Sequence, residues 1–188
     1  MNDWDDHAAT FDDEPDHGLR DPAVRAAWAG LLLPLVPQAP ARVADLGCGT
    51  GSLSVLLAEN GHHVRGLDLS AAMLEVATRK ATGLPVEFRQ GDAADPPYPP
   101  GSCDVVLARH VLWALADPDA ALARWVALLA PGGRLVLVEG RWFTGAGLSS
   151  AECVTLVRRH RADATVTPLT DPALWGKDIT DERYLLVS

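Results

Sequence analysis

The chain has 188 residues, a length for one α/β domain whose core can fill both faces of a sheet. Its formal net charge of −9 argues against a broad nucleic-acid footprint, which needs a basic surface. Cys48, Cys103 and Cys153 are odd in number and widely spaced, so a disulfide framework is not expected and a reducing cytoplasm fits. The start lacks the basic and apolar run of a leader, and no apolar stretch reaches the roughly 18 residues of a membrane span.

Residues 1–18 hold seven acids and no Lys or Arg, with Trp4, Phe11, His7 and His17 interleaved. Two readings stand: a solvated terminus, or a lid over residues 1–20 whose aromatics need an apolar surface to cover. Asp21-Pro22 opens a helix that stops before Pro34. A strand is expected over 42–46, a helix over 52–60 and a strand over 63–68. Ser70 caps a helix from Ala71 to about Ala81, and a strand over 85–89 leads to Gly91-Asp92. Asp95-Pro96-Pro97-Tyr98 is a loop entering the strand at 104–108. Asp117-Pro118 opens a helix to about Ala130, with Pro131-Gly132-Gly133 as its stop. A strand at 134–139, a helix at 149–161 and strands at 164–169 and 183–187 complete the chain. Strands alternating with helices imply a largely parallel sheet.

The chain is organised around Val43-Ala44-Asp45-Leu46-Gly47-Cys48-Gly49-Thr50-Gly51. It is a strand, a tight turn and a helix start, which brings backbone N–H groups to a ligand. Gly47-x-Gly49-x-Gly51 is not the spacing of dinucleotide sites. Asp68 ends the second strand, where a carboxylate accepts hydrogen bonds from ribose hydroxyls. Gly91-Asp92-Ala93 follows the third.

These three ordered motifs resemble those of class I S-adenosylmethionine-dependent methyltransferases of the small-molecule, type 11 kind, over roughly residues 40–140. The resemblance implies a Rossmann-like fold with seven strands in the order 3-2-1-4-5-7-6, the last antiparallel. It implies S-adenosylmethionine as cofactor, S-adenosylhomocysteine as product, and no metal. Asp45 and Gly47, with Cys48, Gly49 and Gly51 around them, are then the methionine end of the site. Asp68 takes the ribose, Leu69 and Met73 pack on adenine, and Asp92 and Ala93 meet its polar edge. Asp95–Tyr98 matches a motif of amino methyltransferases, but precedes the fourth strand instead of following it, so it is read as a loop.

Arg109 and His110 lie past the fourth strand, where this family receives the transferred methyl. His110 is the candidate base; it equally fits a packing or cofactor-binding role. Arg109 fits an acidic substrate, the cofactor carboxylate or a structural ion pair. Trp113 and Trp142 are candidates for an acceptor pocket, with Trp4, Phe11 and His17 as lid residues. Little is inserted after the fifth strand, so a substrate cap must come from residues 1–20, 141–148 and 170–181. The expected partner is a small-molecule methyl acceptor, with neither nucleic acid nor membrane, for a monomer or homodimer. A methyltransferase of proteins or nucleic acids, and a non-catalytic cofactor-binding module, are the alternatives.

Overall fold

The computed structural model describes residues 4–188. Asp3 and the first residues of the expected lid lie outside the described residues. The strands are β1 (Arg42–Leu46), β2 (His63–Asp68), β3 (Val86–Gln90), β4 (Cys103–Arg109), β5 (Leu129–Arg141), β6 (Thr165–Pro168) and β7 (Glu182–Val187). They form one sheet in the order β3-β2-β1-β4-β5-β7-β6. Strands β1 to β5 pair in parallel, and β7 runs antiparallel to both β5 and β6. This is the expected topology. The chain works outward from β1 to β3 and then returns to place β4 on the other side of β1. The carboxyl ends of β1 and β4 therefore flank the switch point where such sheets open a ligand crevice.

Each central strand divides its side chains between two cores. Val43 of β1 and Val105 and Leu107 of β4 join one core with Trp28, Leu56 and Leu57. Ala44, Leu46, Val106 and Ala108 join the other with Leu122 and Trp125. Helices α2 (Pro22–Leu32) and α3 (Ser52–Glu59) supply the first core. Helices α5 (Pro118–Ala127) and α6 (Ser150–Val157) supply the second. The expected caps form: the Asp21 side chain accepts from Ala23 N–H at 2.7 Å, and Ser70 opens α4 (Ala71–Lys80) by accepting from Met73 N–H at 3.1 Å.

Three elements differ from expectation. Helix α5 stops at Ala127, and Pro131-Gly132-Gly133 lies inside β5. The cause is strand pairing: Leu129 already pairs with Cys103, and the register slips before Arg134 meets Val105. Helix α6 ends at Val157 instead of Arg161, its last residues forming a turn. The terminus is folded, with 3-10 turns at Asp5–His7 and Phe11–Asp13 and a short helix α1 at Pro15–Gly18.

Gly51 shows how the sheet dictates the turn. Its φ is +74°, and a Cβ there would lie 2.8 Å from Phe88 Cζ and 2.9 Å from Ala77 Cβ. Gly51→Ala combines left-handed strain of roughly 1–2 kcal/mol with overpacking of roughly 1–3 kcal/mol. Urea denaturation should show a stability loss of about 2–5 kcal/mol at an unchanged m value. A loss below about 0.5 kcal/mol, the range of ordinary surface substitutions, would show that the turn tolerates the methyl group.

Candidate active site

The glycine turn is held by β2. Gly47 N–H and Cys48 N–H both donate to the Leu67 carbonyl, at 2.7 and 3.0 Å. Gly49 N–H donates to Asp68 Oδ2 at 2.7 Å, and Ser70 N–H to Asp68 Oδ1 at 2.9 Å. Asp68 thus keeps each oxygen engaged by one amide and retains lone pairs for a ligand. A Cβ on Gly47, at φ +71°, would lie 2.3 Å from Val111 Cγ2, so only glycine lets the loops past β1 and β4 meet. Asp45 is buried, accepts from Ser54 Oγ at 2.6 Å, and is pushed up to about 6 chiefly by burial.

A cavity of about 540 Å³ opens at this edge of the sheet. It brings together Asp45, Gly47, Cys48, Gly49, Asp68, Leu69, Met73, Asp92, Ala93, Arg109 and His110, with Trp4, Phe11, His17, Trp113 and Trp142. Of the residues expected at the site, Gly51 alone stays behind the wall. Tyr98 lies elsewhere, packed against the second core with Arg65 over its ring at 5.7 Å. The cavity draws on the three segments expected to cap it, including Trp175, Lys177 and Ile179 from the last.

The terminal segment is tied down acid by acid. Asp12 is buried, takes the Thr50 hydroxyl, and pairs with Lys80 Nζ at 2.8 Å. The same Nζ donates to Thr50 Oγ1 at 3.0 Å and Ser52 Oγ at 2.8 Å, so Lys80 joins the segment to the glycine turn. Glu14 pairs with Lys177 at 2.7 Å, and the Ser70 hydroxyl donates to Asp5. Phe11 stacks on His17 with centroids 4.3 Å apart, and its ring lies 3.5 Å from where a Gly49 Cβ would stand. Arg109 donates to the Asp16 carbonyl and lies 5.1 Å over the Trp28 ring, so it clasps the segment from the far side.

Past β4 the backbone turns sharply, with His110 at φ +59°. Glu139, fully buried at the end of β5, accepts from Val111 N–H at 3.0 Å and Leu112 N–H at 2.8 Å. His110 has both ring nitrogens buried and without a protein partner. Burial holds its pKa well below the ordinary value, and Arg109, Arg183 and His17 push the same way, so the ring is neutral at pH 7. Trp142 and Trp175 lie 5.3 and 6.2 Å from it, and Trp113 lies 5.1 Å from Trp142. Arg183, gripped by Asp181 at 2.8 and 2.9 Å, lies 5.1 Å over both Trp142 and Trp175. Sequence reasoning missed Glu14, Glu139, Trp175, Lys177, Ile179 and Arg183. Glu139 had a signal, as the lone acid ending an apolar strand; Glu14, Trp175, Lys177 and Ile179 fall in segments expected to cap the site but had no individual signal, and Arg183, in β7, had none. Among the described residues, no three His, Cys, Asp or Glu side chains are placed to hold a metal ion.

Residues 44–137 match the family described as a methyltransferase domain. The chain belongs to that family. The demethylmenaquinone methyltransferase of Thermus thermophilus is 42% identical over 106 residues, covering 54% of this methyltransferase-domain chain and 48% of that protein. The chain spans about half the length of the curated relatives it matches. Geranyl diphosphate C-methyltransferase from Streptomyces coelicolor, solved with Mg2+, geranyl diphosphate and S-adenosylhomocysteine, superposes with a TM-score of 0.73 at 20% identity, over 86% of this chain and 78% of that one. The cyclase SpnF superposes equally well, with a TM-score of 0.73 at 21% identity, over 86% and 78% of the two chains. These likenesses show the class I fold; that a cyclase shares it means the chemistry must be argued from the site.

Glu139 offers a direct check of the site's electrostatics. Burial pushes its carboxyl up to about 8 from 4.5, against the two N–H groups it accepts from. Between those values the folded protein keeps a proton that the unfolded chain has lost. The stability this group contributes is complete below about pH 4.5 and is lost as the pH rises toward about 8. Glu139→Gln keeps an oxygen for Val111 and Leu112 and cannot ionise. Its melting temperature should exceed the parent's near pH 8, and the gap should close near pH 5. A gap that does not change with pH would mean Glu139 titrates normally.

Proposed function

We propose that the protein is an S-adenosylmethionine-dependent methyltransferase acting on a small molecule, with residues 1–188 working as one domain. One observation carries this reading. The glycine turn, Asp68 and Asp92-Ala93 line one end of a single cavity, whose other end holds His110 and three tryptophans. The residues fit the cofactor: a cradle that a Gly47 Cβ would fill, a buried carboxyl at Asp45, and an Asp68 with free lone pairs. Asp45 and the Gly47 carbonyl would hold its ammonium, Asp68 its ribose, Leu69 and Met73 its adenine faces, and Asp92 and Ala93 the adenine edge. Bound there, the cofactor supplies an electrophilic methyl group on a positively charged sulfur.

The protein's part is to orient the acceptor and exclude water, and positioning of this kind lowers a barrier by up to roughly 7–11 kcal/mol in favourable cases. His110 would accept a proton from the acceptor, a role supported by its position on the cavity wall with both ring nitrogens unpaired. Arg109 acts by positioning, through the terminal segment it clasps. The net charge of −9 supports a small acceptor over a nucleic acid. No helix among the described residues is long and apolar enough to cross a membrane, and the proposed setting is the cytoplasm, as monomer or homodimer.

Calorimetry should detect S-adenosylhomocysteine and not NAD. Asp68→Ala should weaken S-adenosylhomocysteine at least about tenfold, since hydrogen bonds to a charged group contribute roughly 1.5–3 kcal/mol each. It should also lower the melting temperature, because Gly49 and Ser70 N–H lose their acceptor. An unchanged dissociation constant would place the ribose elsewhere.

The terminal segment is proposed to act as the lid, sealing the cavity with Trp4, Phe11 and His17. Deleting residues 1–18 removes Asp12 and strands Lys80 beside the turn. Affinity for S-adenosylhomocysteine and the melting temperature should then fall together. Parent-like affinity in the truncated protein would sink the lid.

A further inference from the structure

We propose that the tryptophan-lined end of the cavity is built for a flat aromatic hydroxyl, a phenol or naphthol, and discriminates against ammonium acceptors. Calling it the acceptor end rests on the methyltransferase reading; the chemistry it selects does not.

His110 is the first reason. It is a non-glycine residue held at φ +59°, in a left-handed conformation that persists only where the surroundings enforce it. The Val138 carbonyl takes its backbone N–H at 2.8 Å, and Glu139 takes the next two N–H groups. That grip leaves the imidazole with neither nitrogen paired and neither exposed. A neutral imidazole carries one N–H and one lone pair. Buried polar groups of this kind are normally satisfied, so a ligand is the partner they lack. The lone pair needs a donor, which a hydroxyl supplies.

Charge is the second reason. The titratable groups acting on His110 are Arg109, Arg183 and His17, with no carboxylate among them. Asp181 neutralises Arg183 from behind, and Arg109 spends its guanidinium on a backbone carbonyl. An ammonium beside His110 would face Arg109 and Arg183, while the nearby cavity carboxylates are already engaged, Glu14 with Lys177 at 2.7 Å and Asp16 beside His17 at 3.6 Å. A hydroxyl brings no positive charge: it donates a hydrogen bond to the imidazole lone pair, and its partly negative oxygen lies in the field of the two guanidinium groups. The third reason is shape. The indoles of Trp113, Trp142 and Trp175 wall the space, with Trp142 edge-on to His110 at 66°. Aromatic rings pair with such walls by offset stacking and edge contacts.

The test uses the full chain saturated with S-adenosylhomocysteine and three probes: 4-nitrophenol, 4-nitrobenzylammonium and nitrobenzene. Equilibrium dialysis should show 4-nitrophenol bound at least about tenfold more tightly than either of the others. Its visible phenolate absorbance should persist to lower pH when bound than when free. His110→Asn, a residue that tolerates positive φ, should abolish the preference for phenol over nitrobenzene. Equal or tighter binding of the ammonium probe would overturn the proposal, as would an unchanged preference in His110→Asn. Calorimetry with S-adenosylhomocysteine on the same protein separates the two readings. Phenol selectivity without cofactor binding would overturn the methyltransferase reading and support this one; cofactor binding without selectivity would overturn this one alone.

Discussion

The site depends on the amides of the glycine turn being held by the neighbouring strand. Leu67 carbonyl and Asp68 carboxylate together take three consecutive N–H groups, from Gly47, Cys48 and Gly49. The strand that carries Asp68 is therefore the one that shapes the turn. Parallel pairing of β1 with β2 sets that arrangement, because Leu46 stands opposite Leu67 and brings the two carboxyl ends level. Cys48 and Gly49 lie in a partly buried turn, where an amide left without an acceptor carries a penalty of up to roughly 1–3 kcal/mol.

A similar economy joins the terminal segment to the site. Lys80, at the end of α4, reaches Asp12, Thr50 and Ser52 with one ammonium group. Burial lowers its pKa while Asp12 opposes that effect, so the cation remains where two elements converge. An acidic terminus that reads as solvated on composition is thus docked because its partners lie in three other elements. Its apolar residues complete the fit: Phe11 lies over Gly49, its ring 3.5 Å from where a Cβ would stand.

The wall past β4 follows a different rule, which is to keep buried groups uncharged unless paired. Glu139 is pushed up to about 8 and His110 is held well below its ordinary range, so at pH 7 both are neutral, the carboxyl protonated and the imidazole with one N–H and one lone pair. Arg183, by contrast, is paired with Asp181 and lies over the indole faces of Trp142 and Trp175.

What the sequence alone determined is what short-range chemistry determines. Positive φ at Gly47, Gly49 and Gly51 requires glycine, so the turn was legible as a pattern, and Asp21 and Ser70 were legible as caps. Asp68 was legible because it ends a strand beside a turn signal, and Asp92 because it follows a strand directly after Gly91. Strand order came with the family resemblance, since alternation of strands and helices implies parallel pairing but not which strand is the neighbour. The end of α5 was misplaced because Pro131-Gly132-Gly133 is a local stop signal, whereas Leu129 pairing with Cys103 is a tertiary one, and the tertiary one wins. Only the folded chain decided that Asp12 is buried against Lys80, that Glu139 holds the loop beneath His110, and that Trp175 and Arg183 face the cavity. Those residues lie far apart in the chain, from 27 between Glu139 and Leu112 to 68 between Asp12 and Lys80. Their roles come from burial and mutual charge, which no window of neighbouring residues contains.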